Sequence, residues 1–585
     1  MKTTHNSTAA LLDAQQPRPA ARSTVNPITL EVVSNSLIAY AEEMALALCK
    51  SAYNMMIYEV RDFCCGLIDT EGRMICQNEG GLPIFLADLG IAVKDGIERF
   101  GLDGFAPGDV VIMNHAGVCG QHLNNVVVYT PCFFGDKVVA FAANRAHWAD
   151  VGGLRTGFGN VQTYEIFHEG IQMRSIKLYD AGHRNEGVWQ MISDNIRFPD
   201  ASLGDLRAQI AACQLGGRRL AELYGRYSVQ TVSDCIAASW DQAEAEARAI
   251  VACIPDGTYT AESHMDSDGR RLDVPLRIKV SVVVSGSDLT IDYSEMNEQV
   301  PGPLNSGYSG GLSAARVAFK CITMPHAPVN EGCFRPLTLI SPEGTMLNAR
   351  PPAALGLWSI ALPTVIDTLL RALAPALPSF IPAAHKGDMG GCSFYGQREE
   401  TGERYVLMNI FGGGWGGRSK EDGASASVSI CQGDVRNTPV ELQEIHYPFL
   451  VECHKLREDS GGPGRQRGGL GVELRYRSLQ KSTVNINLER TIEPPWGVEG
   501  GQPGRSNAAS IRRSDGTERS VTKESNIVLA AGDTVSFWTA GGGGYGDPRE
   551  RSRELVEEDL HQGYVSAEGA QRDYGTKPSN QEFAK

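Results

Sequence analysis

Four glycine-dense runs in the last third constrain this chain more than any other feature. They are Phe411-Gly412-Gly413-Gly414-Trp415-Gly416-Gly417-Arg418, Asp459-Ser460-Gly461-Gly462-Pro463-Gly464, Gly468-Gly469-Leu470-Gly471 and Gly541-Gly542-Gly543-Gly544-Tyr545-Gly546-Asp547-Pro548. Each is bounded by aromatic and charged residues, unlike a flexible linker. Ordering glycine costs more chain entropy than ordering any other residue. Ordered glycine runs are therefore expected where backbones approach closely or where φ turns positive. Strand-like patterns surround them and predict a β-dominated region over residues 401–575.

Glycine runs can also present backbone amides to an anion, which makes Gly413, Gly414 and Arg418 a candidate phosphate nest. No G-x-x-x-x-G-K-[ST] occurs. The letters G-x-G-x-x-G occur at Gly412, Gly414 and Gly417, and again at Gly541, Gly543 and Gly546. Neither opens a helical pattern, so a dinucleotide fold is unsupported. One G-x-S-x-G match, Gly307 to Gly311, follows no strand, which argues against a nucleophilic Ser309.

The rest of the chain alternates between helical and strand periodicity. Leu30, Val33, Leu37, Tyr40, Met44, Leu48 and Ala52 form one apolar face of a helix predicted over 27–55. Phe63 to Ile68 and Arg73 to Cys76 read as a hairpin, and Asp88 to Phe100 as a helix. Residues 185–250 are largely helical in pattern. Strands are expected at 276–282 and 289–293, and helices at 305–325, 360–375 and 551–562. At 585 residues the chain exceeds one ordinary core. The expectation is an α+β class and a large multilayer fold with mixed and antiparallel sheets. Its parts are a disordered arm (1–25), an α+β region with N-terminal helices and hairpins (26–255), a central α/β region (256–400), the glycine-rich β region and a loose tail (576–585).

A net charge of −15 with no basic stripe argues against nucleic acid as a partner. No run of eighteen apolar residues is present, so no membrane span is expected. The first 25 residues lack the apolar segment of a secretory signal. Fourteen cysteines without one C-x-x-C pair suggest reduced, mostly buried thiols in a cytoplasm. Cys119, three residues before His122, is the one to watch.

Two polar clusters carry the chemistry, Gly120-Gln121-His122-Leu123-Asn124-Asn125 and Arg145-Ala146-His147-Trp148-Ala149-Asp150. Between them lie two apolar strands joined by Gly135-Asp136, a hairpin signal. A hairpin brings the start of its first strand beside the end of its second. His122, His147, Asn125 and Asp150 would then converge at one end of a sheet, as in a metal site or an acid–base site. Zinc, manganese and iron all accept such ligands. Single histidines are more often surface or satisfied core residues, and spacing alone leaves that reading open.

Several stretches resemble the B-type subunits of the hydantoinase/oxoprolinase family. They include Asn26-Pro27-Ile28-Thr29-Leu30, Arg61-Asp62-Phe63-Cys64-Cys65, His122, His147 with Asp150-Val151-Gly152-Gly153, and Glu169-Gly170-Ile171. Asn330 to Pro336, Leu456 to Gly462, Arg467 to Gly471, Pro495 to Gly501 and the Gly541 to Pro548 run follow in order. The resemblance covers nearly the whole chain.

That resemblance implies a division of labour. An A-type partner, itself a separate chain, binds ATP with Mg and phosphorylates a carbonyl oxygen of a small-molecule substrate; the B-type chain handles the activated species. It further implies a divalent metal, zinc or manganese, held by an H-x-x-D pattern, a second His and an earlier Asp. Those positions are His122, Asn125, His147 and Asp62 here. Asn125 departs from the family's Asp, and Phe85 and Trp148 replace two nearby family histidines. Either the metal is weakly held, or it is lost and Phe85 and Trp148 wall a pocket for a flat substrate. The implied activity is ATP-dependent ring opening of a cyclic amide, with ketone carboxylation or a non-catalytic scaffold as alternatives. His122, His147 and Asp150 are the candidate catalytic residues.

Overall fold

A computed structural model describes residues 25–157 and 159–576. The expected arm and tail lie outside these residues, apart from Val25 and Thr576. The first helix, Pro27–Ser51, is capped by Asn26, whose side chain accepts from the Ile28 and Thr29 N–H groups. Its composition would suit a membrane span by length, yet Leu30, Val33, Leu37, Met44 and Leu48 are buried, and it packs on the helix Pro199–Tyr227. It ends four residues earlier than its periodicity predicts. The Asp205 carboxylate accepts from the Tyr53 and Asn54 N–H groups at 2.7 and 3.1 Å, diverting donors that a continuous helix would have used.

The first sheet is antiparallel throughout, with strands β1 (Phe63–Ile68), β2 (Met74–Gln77), β3 (Val110–Met113), β4 (Asn125–Phe134), β5 (Lys137–His147), β6 (Ile176–Asp180) and β7 (His183–Arg184). Their order is β2-β1-β5-β4-β3-β6-β7. The predicted β4–β5 hairpin forms at Gly135, whose φ of 60° suits a two-residue turn. Both faces of its central strands are covered. Pro199–Tyr227 lies on one side of β4 and β5, and the helix Asp88–Phe100 contacts β1, β4 and β5 through the other. This is why these strands read as unbroken apolar runs rather than alternating ones.

A second sheet, β8 (Gly257–Met265), β9 (Leu276–Ser285), β10 (Asp288–Asp292) and β11 (Leu337–Ile340), has the order β11-β10-β9-β8, and β11 runs parallel to β10. The helices Tyr308–Thr323 and Trp358–Leu373 pack together, the latter also covering β8 and β9. One continuous apolar core gathers residues from Leu30 to Val435. The boundary expected near 255 therefore separates element types and not cores. A second core lies between two antiparallel sheets of the last third and includes Phe394, Phe449, Leu474, Tyr476, Val484, Ile511 and Phe537.

The glycine runs lie beside this sandwich, outside its strands. The Gly414 N–H donates to the Ala540 carbonyl (2.9 Å), Gly469 to Trp415 (2.8 Å), Gly542 to Gly469 (2.9 Å) and Gly417 to Gly543 (2.9 Å). A Cβ on Gly542 would sit 2.0 Å from the Trp415 oxygen, and one on Gly469 1.9 Å from the Ala424 oxygen. Close backbone approach thus explains the runs. The expected positive φ does not, because among these glycines only Gly546 adopts it.

Candidate active site

Three strands of the first sheet set the site. Phe63 lies opposite Ala146 on β5, and Asn125 opposite His147. The His147 N–H donates to the Asp62 carbonyl at 3.1 Å, continuing the ladder by one residue. Directly opposed residues project from the same face, so Asp62, His147 and Asn125 form a row across the end of the sheet. Gly120, at φ 64°, turns the chain just before His122. Gly307 packs against it, with the Gly307 N–H donating to the Gly120 carbonyl at 2.9 Å; a Cβ on Gly307 would lie 2.5 Å from Gly120 Cα. Only glycine fits that crossing, and it pins His122 ahead of β4.

The imidazoles of His122 and His147 meet edge to face, with ring centroids 4.9 Å apart. His122 Nδ1 lies 3.5 Å from the Gly356 carbonyl oxygen, and the Trp358 ring is 5.9 Å from the His122 ring. His122, His147, Asn125 and Asp62 are all buried.

Arg145, two residues before His147, projects from the same face and is fully buried. Its guanidinium pairs with Asp88 at 2.5 Å and donates to Gln121 Oε1. The Gln121 amide donates to Asp88 at 2.5 Å, and Asn125 Nδ2 donates to Gln121 Oε1 at 2.8 Å. Two carboxyl oxygens, Asp62 Oδ1 and Asp88 Oδ1, and the Arg145 Nε and Nη2 atoms have no hydrogen-bond partner. Each such buried polar atom costs stability, a cost that concentrates at functional sites.

Burial sets the protonation states. It pushes His122 down to about 4, against hydrogen bonds with Asn125 and Gly356 that act upward. Burial, then the neighbouring His122, hold His147 well below the ordinary imidazole value. The Asp62 carboxyl is pushed up to about 7 by burial, with the Arg145 charge opposing. Both imidazoles are neutral at pH 7, and Asp62 keeps its proton well above the ordinary carboxylate range.

A cavity of about 20 Å³ adjoins His122 and is lined also by Asn124, Leu154, Asn160, Thr163 and Glu169. That is room for one water molecule. Glu169 Oε1 accepts from the N–H groups of Leu355 (2.8 Å) and Gly356 (2.6 Å). Desolvation nevertheless pushes its carboxyl up to about 8. A single residue, Gly356, thus holds Glu169 through its N–H and approaches His122 through its carbonyl. Sequence reasoning misses Glu169, Arg145, Asp88 and Gln121 as site residues. Glu169 does stand in the family-like stretch Glu169-Gly170-Ile171, which is the signal that could have found it.

Other expected site residues are placed elsewhere. Asp150 is committed to Arg197, with Oδ1 accepting from the guanidinium (2.7 Å) and Oδ2 from the Arg197 and Gly152 N–H groups (2.8 and 3.1 Å). Trp148 does not wall the cavity. Strand alternation carries it to the opposite face from His147, where its Nε1 donates to Gln209 at 2.9 Å. Phe85 lies 5.0 Å from the Arg145 guanidinium, behind the site, and also does not line the cavity. The anion nest at Gly413, Gly414 and Arg418 is overturned. The Gly413 and Gly414 amides donate to the Ser427 and Ala540 carbonyls, and the Arg418 amide to Glu421, whose carboxylate also pairs with the Arg418 side chain at 3.0 Å. Ser309 Oγ donates to the Cys119 carbonyl, and burial pushes the Cys119 thiol up to about 12, far from a nucleophile.

A resident divalent ion needs three or four donors converging on one point. Among the described residues no three His, Cys, Asp or Glu side chains gather in that way. Asn125 directs its amide nitrogen at Gln121, and the guanidinium of Arg145 is close enough to act on both Asp62 and His122. The expected ligand set of His122, Asn125, His147 and Asp62 therefore does not fit such an ion.

Fold and site together define a large α+β protein with a buried imidazole pair at the end of its first sheet and a glycine lattice beside its C-terminal sandwich. A sequence model of the Hydantoinase B/oxoprolinase family matches residues 26–548, and the chain belongs to that family. It is 33% identical over 576 residues to the B component of a putative D-/L-hydantoinase of Pseudomonas sp. (strain NS671), covering 95% of this chain and 96% of that one. It superposes on the ATP-dependent caprolactamase of Pseudomonas jessenii with a TM-score of 0.88 at 28% identity, covering 95% of this chain and 97% of the other. An acetone carboxylase in its nucleotide-free state shares the fold, with a TM-score of 0.88 at 17% identity over 97% of this chain and 82% of that one.

Proposed function

We propose that this chain is the B-type subunit of an ATP-dependent cyclic-amide hydrolase. It acts on a ring amide whose carbonyl oxygen has been phosphorylated by an A-type, ATP- and Mg-binding partner. Relatives named as hydantoinase and caprolactamase subunits support this reading. One observation carries it. His122, held unprotonated, and Glu169, held largely protonated, line the same water-sized cavity. Opposite pKa displacements in one site mark a base and an acid.

His122 takes a proton from water, and His147 packs edge to face against its ring and orients it. The oxygen adds to the activated ring carbon. The ring carbon–nitrogen bond then breaks, and the nitrogen leaves as an amine after receiving the Glu169 proton. A second water displaces phosphate from the acyl group. Asp62 and Asn125 flank His147. Asp150, through Arg197, positions the loop that walls the cavity. The carboxylase alternative loses the support it drew from Phe85 and Trp148, since neither reaches the cavity. All fourteen cysteines are free thiols, which supports a reducing cytoplasm.

The test is ATP consumption by this protein co-purified with its A-type partner, against hydantoins, lactams and aryl ketones, with and without bicarbonate. Bicarbonate-independent ring opening is expected. Strict bicarbonate dependence with a ketone would overturn the hydrolase reading. Loss of turnover in every case, with altered partner ATPase, would assign a scaffold role.

A further inference from the structure

We infer that this site works without a resident divalent ion, and that the buried guanidinium of Arg145 is the fixed positive charge beside the imidazole pair. The inference rests on the arrangement of donors rather than on the reaction assigned above. Two imidazoles are adjacent, but among the described residues a third anionic donor does not converge with them on one point. The position across from His147 on β4, where a carboxylate would complete a ligand set, is held by Asn125. Its amide nitrogen donates to Gln121, which donates in turn to Asp88, and its oxygen, the one atom able to ligate, brings no charge. That hydrogen-bond chain ends on Arg145, which is fully enclosed and projects from the same sheet face as His147.

A divalent ion here would lose one anionic ligand and gain a fixed cation as neighbour. Affinity of oxygen and nitrogen sites depends on ligand number and charge, and like charges repel strongly where water is excluded. Arg145 keeps two donors, Nε and Nη2, without protein partners. The guanidinium does not line the cavity; held against Asp88, it supplies its charge to the imidazole pair from inside the protein.

The experiment measures zinc and manganese in the complex of this protein with its A-type partner, purified from metal-supplemented cells and dialysed against a chelator. Calorimetric titration with Zn²⁺ and Mn²⁺ follows, on wild type and on Asn125→Asp. Wild type is expected to carry well under one ion per chain, with an unchanged melting temperature after chelation. Asn125→Asp is expected to bind at least about tenfold tighter. Stoichiometric metal that survives dialysis, with a fall in melting temperature on its removal, would overturn the inference. So would an Asn125→Asp protein with wild-type affinity. If that variant does not fold, the wild-type metal content alone decides. None of these readouts uses substrate, so failure of the hydrolase assignment would leave the result interpretable.

Discussion

Replacing Asp62 by Asn should change how stability depends on pH by an amount the structure specifies. Asp62 is 5% exposed, and burial raises its carboxyl from 3.8 to about 7. The folded protein therefore keeps a proton that the unfolded chain releases near pH 4. A raised pKa gives stability that is complete below the unfolded value and is lost as pH climbs through the folded value. Each pH unit in that window costs about 1.4 kcal/mol. Between pH 5 and pH 8 the loss through Asp62 is about 3 kcal/mol, because the effect ends near pH 7. Asn has the same shape and no proton to lose.

Urea unfolding of wild type and Asp62→Asn, followed by tryptophan fluorescence at pH 5, 6, 7 and 8, gives the comparison. The buried histidines act in the opposite sense, since their depressed pKa values cost stability as pH falls below about 6.5. They are common to both proteins, so the difference between variant and wild type isolates Asp62. The variant should gain about 3 kcal/mol on wild type from pH 5 to pH 8. A difference that stays flat across that range would refute the argument that burial governs this carboxyl.

Three further outcomes are expected. His147→Ala should abolish turnover of the reconstituted complex while circular dichroism stays native; wild-type turnover would remove His147 from the site. Glu169→Gln should lower kcat by about 10²–10⁴-fold, and the fall in wild-type activity above pH 8 should vanish from the residual profile. A retained alkaline limb would assign that titration to another group. Gly542→Ala should cut soluble yield and melting temperature sharply, since its Cβ would meet the Trp415 oxygen at 2.0 Å. Gly187→Ala, whose nearest neighbour is 3.7 Å away in an exposed helical turn, should be neutral or stabilising by up to about 1 kcal/mol. Equal effects would contradict the close-approach explanation of the runs.

Local chemistry and short-range order were legible in the sequence. Apolar runs and turn residues were enough for the β4–β5 hairpin, but a plain two-residue turn would pair Asn125 with Ala146; the bulge between Cys132 and Phe133 shifts the register and sets Asn125 opposite His147. Helical periodicity found Asp88–Phe100 with its observed ends, because a local residue, Gly101 at φ 68°, stops the helix where the apolar pattern stops. It overran the first helix, because the competitor for its donors, Asp205, lies 152 residues away in sequence. The glycine runs announced close backbone approach, but not which chains approach, nor that their amides would be spent on one another. Trp148 and Phe85 were misplaced for a related reason. Proximity along the chain brings Trp148 next to His147, whereas the pleat of the strand puts the two on opposite faces. Above all, the protonation of the site belongs to the tertiary structure. An imidazole near 4 and a carboxyl near 8 arise from desolvation, and desolvation depends on everything packed around a group, which one-dimensional order does not contain.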